Sequence, residues 1–209
     1  PMKEIDVYQV LEGKNPKLAR RVPRFVVDYL RRTIHEREVN EILARFGDLE
    51  GIAFVRAALG YMNVRYHSVG MERLNPEGRY VFASNHPFGG MDGLMLADEV
   101  ARYFGDVRVV VNDLLMYLGP LRGLFVPVNK HGRQDAGSVE AFNNAFASDV
   151  PIVTFPAGLC SRRRRGVVRD LEWKPNFVKK AAAYGRDVVP VYFNGRLSDF
   201  FYRLSNLRT

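Results

Sequence analysis

R-Y-V-F-A-S-N-H-P-F-G-G-M-D-G-L-M-L-A-D-E-V-A-R-Y-F, residues 79–104, changes its period partway along. Residues 79–83 form a short β-rich run, and residues 93–104 carry helical spacing. Between them lies a stretch dense in glycine. Working outward, further β-rich runs fall at 64–69, 107–111, 124–128, 152–155 and 187–192, with helical stretches at 135–147 and 175–184. Strands alternating with helices of about 10–13 residues predict an α/β domain, a largely parallel mixed sheet flanked by helices.

Upstream the pattern is helical. Residues 17–32 place Leu18, Val22, Val26 and Leu30 on one face with arginines opposite. Residues 39–46 and 49–59 continue in the same period, with Gly47 and Gly60 as stop signals. Residues 1–61 are therefore expected to form a basic helical segment, a lid or membrane-facing element, and residues 62–209 the α/β domain. The two are expected to make one structural unit.

Of the 209 residues 47% are hydrophobic and 26% charged, ordinary globular values that exclude disordered, collagenous and coiled-coil chains. A single cysteine, Cys160, excludes an internal disulfide framework, and no clustered Cys/His set predicts a metal site. A reducing compartment is expected. The first ten residues lack the apolar region of a signal peptide, and no apolar run approaches the roughly 18 residues of a spanning helix. Residues 206–209 follow an expected helix, so a C-terminal extension beyond them is expected.

The net charge is +8 and the pI about 9.7. The excess sits in two places. Lys17, Arg20, Arg21, Arg24, Arg31, Arg32 and Arg37 face only Asp28 and Glu36 within 17–37. Arg162 to Arg165, Arg169 and Lys174 face only Asp170 and Glu172 within 161–174. Two basic patches on a near-neutral body fit an anionic partner, whether nucleic acid, lipid headgroups or an acidic protein; solvated faces are the plainer alternative.

In open α/β sheets, function gathers beyond the carboxyl ends of strands. In residues 83–93 the only titratable side chains are His86 and Asp92. A neutral imidazole there can take a proton near neutral pH, and a carboxylate at its other nitrogen fixes the tautomer and stabilises the imidazolium. Gly89, Gly90 and Gly93 permit a turn folding Asp92 back towards His86. The plainer reading is a turn with Asp92 capping the next helix. Residues 155–165, F-P-A-G-L-C-S-R-R-R-R, place a glycine turn and four arginines after a strand, an anion site or a solvated run. Residues 123–132, G-L-F-V-P-V-N-K-H-G, read as a strand whose Pro127 marks an edge or bulge. Cys160 has no nearby sequence partner and reads as a small semi-buried thiol.

Taken in order, N-H-P-F-G-G-M-D, G-L-F-V-P-V-N, F-P-A-G-L-C-S-R and D-V-V-P-V-Y resemble the four blocks of the glycerolipid acyltransferase superfamily, which includes the lysophosphatidic acid acyltransferases. The resemblance spans roughly residues 62–195. One residue more than usual separates His86 from Asp92, Ala157 stands for a glutamate, and Cys160 and Val128 stand for arginines, with Lys130 and Arg133 near the latter. These variants, with D-L-E-W-K at 170–174, look closest to the bacterial branch acylating lyso-ornithine and related acyl-glycine lipids.

The resemblance implies O-acyl transfer from an acyl thioester to the hydroxyl of a lyso-aminolipid, with His86 as general base and Asp92 orienting it. Substrate contacts would come from Asn85, Gly89, Gly90, Lys130, Phe155, Pro156, Gly158, Ser161, Arg162 and Arg163. No metal or bound cofactor is implied; acyl carrier protein or coenzyme A would bring the acyl group. The implied partners are acyl carrier protein, a lyso-lipid and an anionic membrane surface, with the chain cytoplasmic and peripheral on the inner face of the cell membrane. The alternatives are a 1-acylglycerol-3-phosphate acyltransferase and a non-catalytic basic module binding membrane or nucleic acid. No nucleic-acid motif supports the last.

Overall fold

The computed structural model describes residues 4–14, 16, 21–33, 36–128, 136–199 and 202. Lys17, Leu18, Arg20, Lys130, Arg133 and the final residues 203–209 lie outside the described residues. The chain divides into two compact units, residues 1–64 with 113–123, and residues 65–112 with 124–209.

The first unit is helical: α1 (Val7–Lys14), α2 (Arg24–Thr33), α3 (Glu36–Phe46), α4 (Gly51–Tyr61) and two 3-10 turns, Asp113–Tyr117 and Gly119–Leu121. Val27, Ile42, Leu43, Phe54, Val55, Ala58, Leu59 and Leu121 are its buried apolar residues. Helix α1 falls in the segment expected to be helical, although no stretch before residue 17 was singled out. Asp6 caps it, accepting the Tyr8 N–H at 2.7 Å and the Gln9 N–H at 3.3 Å. Helix α4 runs through the expected stop at Gly60. Its end is set by Asn63, at φ +50°, which donates to the Gly60 carbonyl while Val64 donates to Leu59. Within the basic stretch, Arg31 lies 3.3 Å from Asp6, 3.3 Å from Glu36 and 3.7 Å from Asp28.

In the second unit, β1 (Tyr80–Ser84), β2 (Arg108–Asn112), β3 (Phe125–Val128), β4 (Ile152–Thr154) and β7 (Asp187–Val191) form one sheet in the order β3-β2-β4-β1-β7. All its pairings are parallel. Helices α5 (Gly90–Phe104), α6 (Ala136–Ala147) and α7 (Asn176–Ala183) connect or follow the strands. Strand β1 is buried on both faces, hence its unbroken apolar run. Val81 joins Phe146 of α6, Ala181 of α7, Val126 and Ile152 in one cluster. Tyr80 and Phe82, both of opposite parity to Val81, pack their rings on Phe104 of α5 at 5.6 and 5.8 Å. The sheet is thus covered by helices on both sides.

Pro127 and Pro190 lie in β3 and β7, the outermost strands, where a missing N–H costs no ladder bond. The expected strand at 64–69 is no strand. This segment is tied to α5 by side chains, with the Tyr66 hydroxyl donating to Asp98 at 2.6 Å and the Ser68 hydroxyl donating to Glu99. Three of the four consecutive arginines form β5 (Arg162–Arg164), which pairs antiparallel with β6 (Val167–Arg169). Arg165 and Gly166, at φ +50° and +81°, make the two-residue type I′ connection. The sequence reading missed this hairpin because Arg-Gly is not a strong turn pair.

Two arginines close the far end of the sheet. Arg186, 5% exposed, donates to the carbonyls of Phe146, Tyr80, Val150, Ala145 and Ser148. Arg79 donates to those of Tyr184, Phe146, Ala147 and Ser148. Together they satisfy carbonyls that the end of α6 leaves open. Among the described residues, no helix is long and apolar enough to cross a membrane.

Candidate active site

The carboxyl ends of β1 and β4, neighbours in the sheet, each release a loop, and the two loops meet. From β1 comes 85–89. Asn85 extends the sheet pairing with its side chain: its amide donates to the Phe193 carbonyl at 3.0 Å and its oxygen accepts the Phe193 N–H at 2.7 Å. That side chain is engaged with the main chain after β7. His86 follows, its side chain 18% exposed.

Asp92 stands in the first turn of α5 and is fully buried. Its Oδ2 lies 3.0 Å from His86 Nδ1 and accepts the Phe88 N–H at 2.9 Å. The Nδ1–H points off the ideal line to the carboxylate, an imperfect alignment common in substrate-free sites. Burial pushes the Asp92 carboxyl above its usual range, against the opposing pull of the His86 contact and the Phe88 N–H. The imidazole also stacks on Phe155, ring centres 4.2 Å apart and planes 30° apart.

The turn that returns Asp92 to His86 uses Gly89 as N-cap, at φ +69°, with a Cβ at this position meeting Cys160 Sγ at 3.1 Å. Backbone strain and a tight contact coincide there. Gly89→Ala is expected to destabilise the fold by about 1–2 kcal/mol in urea unfolding. Gly90→Ala, whose Cβ meets nothing within 4 Å, is expected to change stability by less than about 0.5 kcal/mol.

From β4 comes 155–161. Pro156 is buried, and Gly158 takes φ +67° in a turn closed by its N–H to the Phe155 carbonyl at 2.8 Å. Ser161 is 2% exposed and donates its hydroxyl to Asp170 at 2.6 Å, so it faces inward. Arg162 folds back to donate to the Cys160 carbonyl at 2.7 Å, and Arg163 reaches Asp199 at 2.9 Å. Burial pushes the Cys160 thiol up, which keeps it protonated.

The structure therefore brings His86, Asp92, Gly89, Gly90 and Phe155 together, with Pro156 and Gly158 shaping the second loop. It gives the side chains of Asn85, Ser161, Arg162 and Arg163 partners within the protein, while Lys130 lies outside the described residues. Sequence reasoning missed Asp170, Trp173 and Gly195. Phe88's ring occupies the place where a Cβ on Gly195 would stand, 2.0 Å away. No local pattern announces that contact, since it joins segments more than a hundred residues apart. Gly90 and Met91 open α5, and N–H groups of a helix's first turn have no helical acceptor.

Comparison with known proteins points the same way. The family described as Acyltransferase matches residues 9–209. The chain is 46% identical over 204 residues to a lyso-glycine lipid O-acyltransferase of Bacteroides thetaiotaomicron, covering 97% of this chain and 75% of that protein. It is 43% identical over 204 residues to one of Phocaeicola vulgatus, covering 97% and 73%. With a family match over nearly its whole length and relatives this similar, the chain belongs to the acyltransferase family.

Proposed function

We propose that this acyltransferase moves a fatty acyl group from an acyl thioester to the hydroxyl of a lyso-aminolipid of the ornithine or glycine type. The observation that carries the reading is His86 held between a buried carboxylate at 3.0 Å and the Phe155 ring, at the loop following β1. The acceptor class is supported by the names of the two relatives.

With Nδ1 turned to Asp92, Nε2 takes the proton of the acceptor hydroxyl as its oxygen attacks the thioester carbonyl. The oxyanion so formed is stabilised by the Gly90 and Met91 N–H groups and the positive end of α5. Collapse forms the ester, breaks the carbon–sulfur bond and returns the proton from the imidazolium to the departing thiolate. No bound cofactor is needed, and acyl carrier protein or coenzyme A carries the donor.

Arg164, Arg165, Arg169 and Lys174 are exposed on and beside the hairpin and suit an acidic carrier protein. Arg21 and Arg24, also exposed, suit peripheral contact with an anionic lipid surface on the cytoplasmic side of the membrane, each basic group contributing about 1 kcal/mol near it.

Side-by-side assays test the acceptor. Purified protein is given an acyl thioester with either an N-(3-hydroxyacyl)glycine or a 1-acylglycerol-3-phosphate, and products are read by mass spectrometry. A diacylated glycine lipid that is absent with His86→Ala is the expected product. Acylation of the phosphate lipid alone would overturn the proposal in favour of a phospholipid enzyme.

A further inference from the structure

Asp170 lies outside the reacting pair, yet donors from three stretches of chain converge on it. Its Oδ1 accepts the main-chain N–H of His86 at 3.1 Å and the Ser161 hydroxyl at 2.6 Å. Its Oδ2 accepts the indole N–H of Trp173 at 2.9 Å. The His86 carbonyl in turn accepts the Ser161 N–H at 2.8 Å. Both main-chain polar groups of His86 are thus held by the segment 161–170.

Such a hold matters because a base must stay within a few tenths of an ångström of its working position, and loops do not provide that unaided. Phe155 and Asp92 act on the imidazole, whereas the hydrogen bonds to the main chain of His86 come from Asp170 and Ser161. A carboxylate suits the task for a chemical reason: with about four lone-pair sites it accepts all three donors at once. An amide in its place offers one acceptor oxygen and turns an N–H towards the indole N–H or the hydroxyl.

We propose that Asp170 is the positioning residue for His86, fixing the main chain from which the imidazole reaches between Asp92 and Phe155, with Trp173 fixing Asp170 in turn. The inference rests on His86 being the general base. It also assigns a role to Ser161 as the second arm of the same clamp.

The test compares Asp170→Ala, Asp170→Asn, Trp173→Phe and His86→Ala, using an acyl-coenzyme A donor and an N-(3-hydroxyacyl)glycine acceptor. Trp173 is the chain's single tryptophan, so its emission reports on the clamp directly. Asp170→Ala is expected to lower kcat about 100-fold with KM changed less than about threefold and a red-shifted tryptophan emission. Asp170→Asn should recover part of the loss, and Trp173→Phe should lose least, since both Oδ1 bonds survive.

A folded Asp170→Ala protein with kcat within about threefold of wild type would sink the inference, as would a loss seen wholly in KM. Should that variant fail to fold, wild-type kcat in both Asp170→Asn and Trp173→Phe would have the same force. Failure of the underlying reading looks different, because His86→Ala itself would then stay active. An inactive His86→Ala beside an active Asp170→Ala removes Asp170 alone.

Discussion

His86→Ala is expected to lower kcat by about 10²–10⁴-fold, with KM for either substrate little changed, because the imidazole acts on a proton that moves only in the transition state. Asp92→Asn should fall within the same range. Asparagine keeps an oxygen for the Phe88 N–H but loses the charge that faces the imidazolium and sets the tautomer. For both, steady-state kinetics on folded protein is the measurement.

Stability should move the other way for Asp92→Asn. Burial raises the Asp92 pKa in the folded chain, so folding disfavours its charged form. That penalty is absent below the unfolded value, grows as pH rises from there towards the raised folded value, and is complete above it. Asparagine never carries the charge. Its melting temperature at pH 7 is therefore expected to equal or exceed that of the wild type, with the difference vanishing in acid. A variant that melts well below wild type at pH 7 would mean that the His86 contact outweighs the cost of burial.

Arg186→Leu is the substitution expected to harm the fold most. It keeps an apolar body in a buried place but leaves the carbonyls of Ala145, Phe146, Ser148, Val150 and Tyr80 short of a donor. Leaving buried acceptors without a donor costs about 1–3 kcal/mol each, but Arg79 and the Ser148 hydroxyl still reach the carbonyls of Phe146, Ser148 and Ala145. A loss of about 3 kcal/mol is therefore expected, which lowers the melting temperature of a domain this size by roughly 10 °C. Burial, followed by the neighbouring Arg79 charge, pulls the Arg186 pKa down, while Asp149 opposes the shift. Arg186→Lys keeps the charge but not the planar fork, and should lie between the two. Thermal unfolding followed by circular dichroism checks the series; a Leu variant melting within a few degrees of wild type would refute the account.

The strands at 79–83, 107–111, 124–128, 152–155 and 187–192 were legible as short runs rich in β-branched residues between helical stretches, and those of the central β1 and β4, buried on both faces, are the most apolar. The pairing of His86 with Asp92 was legible as chemistry, and the glycines between them showed that the chain could turn. What stayed hidden depends on contacts distant in sequence. Asp170 looks like any acid after a basic run until the hairpin carries it back to His86. The segment 64–69 alternates like a strand, yet its alternate side chains serve Asp98 and Glu99 rather than a ladder. Helix α1 is too short for its period to stand out, and only the Asp6 cap marked its start.

The prolines on β3 and β7 reach beyond the fold itself. A foreign strand laid along either margin of the sheet would meet, at Pro127 or Pro190, a ring where it needs a donor, so backbone zippering would stall. Among the described residues, β3 and β7 are the sheet's margins, so strand addition at either is disfavoured at these two positions.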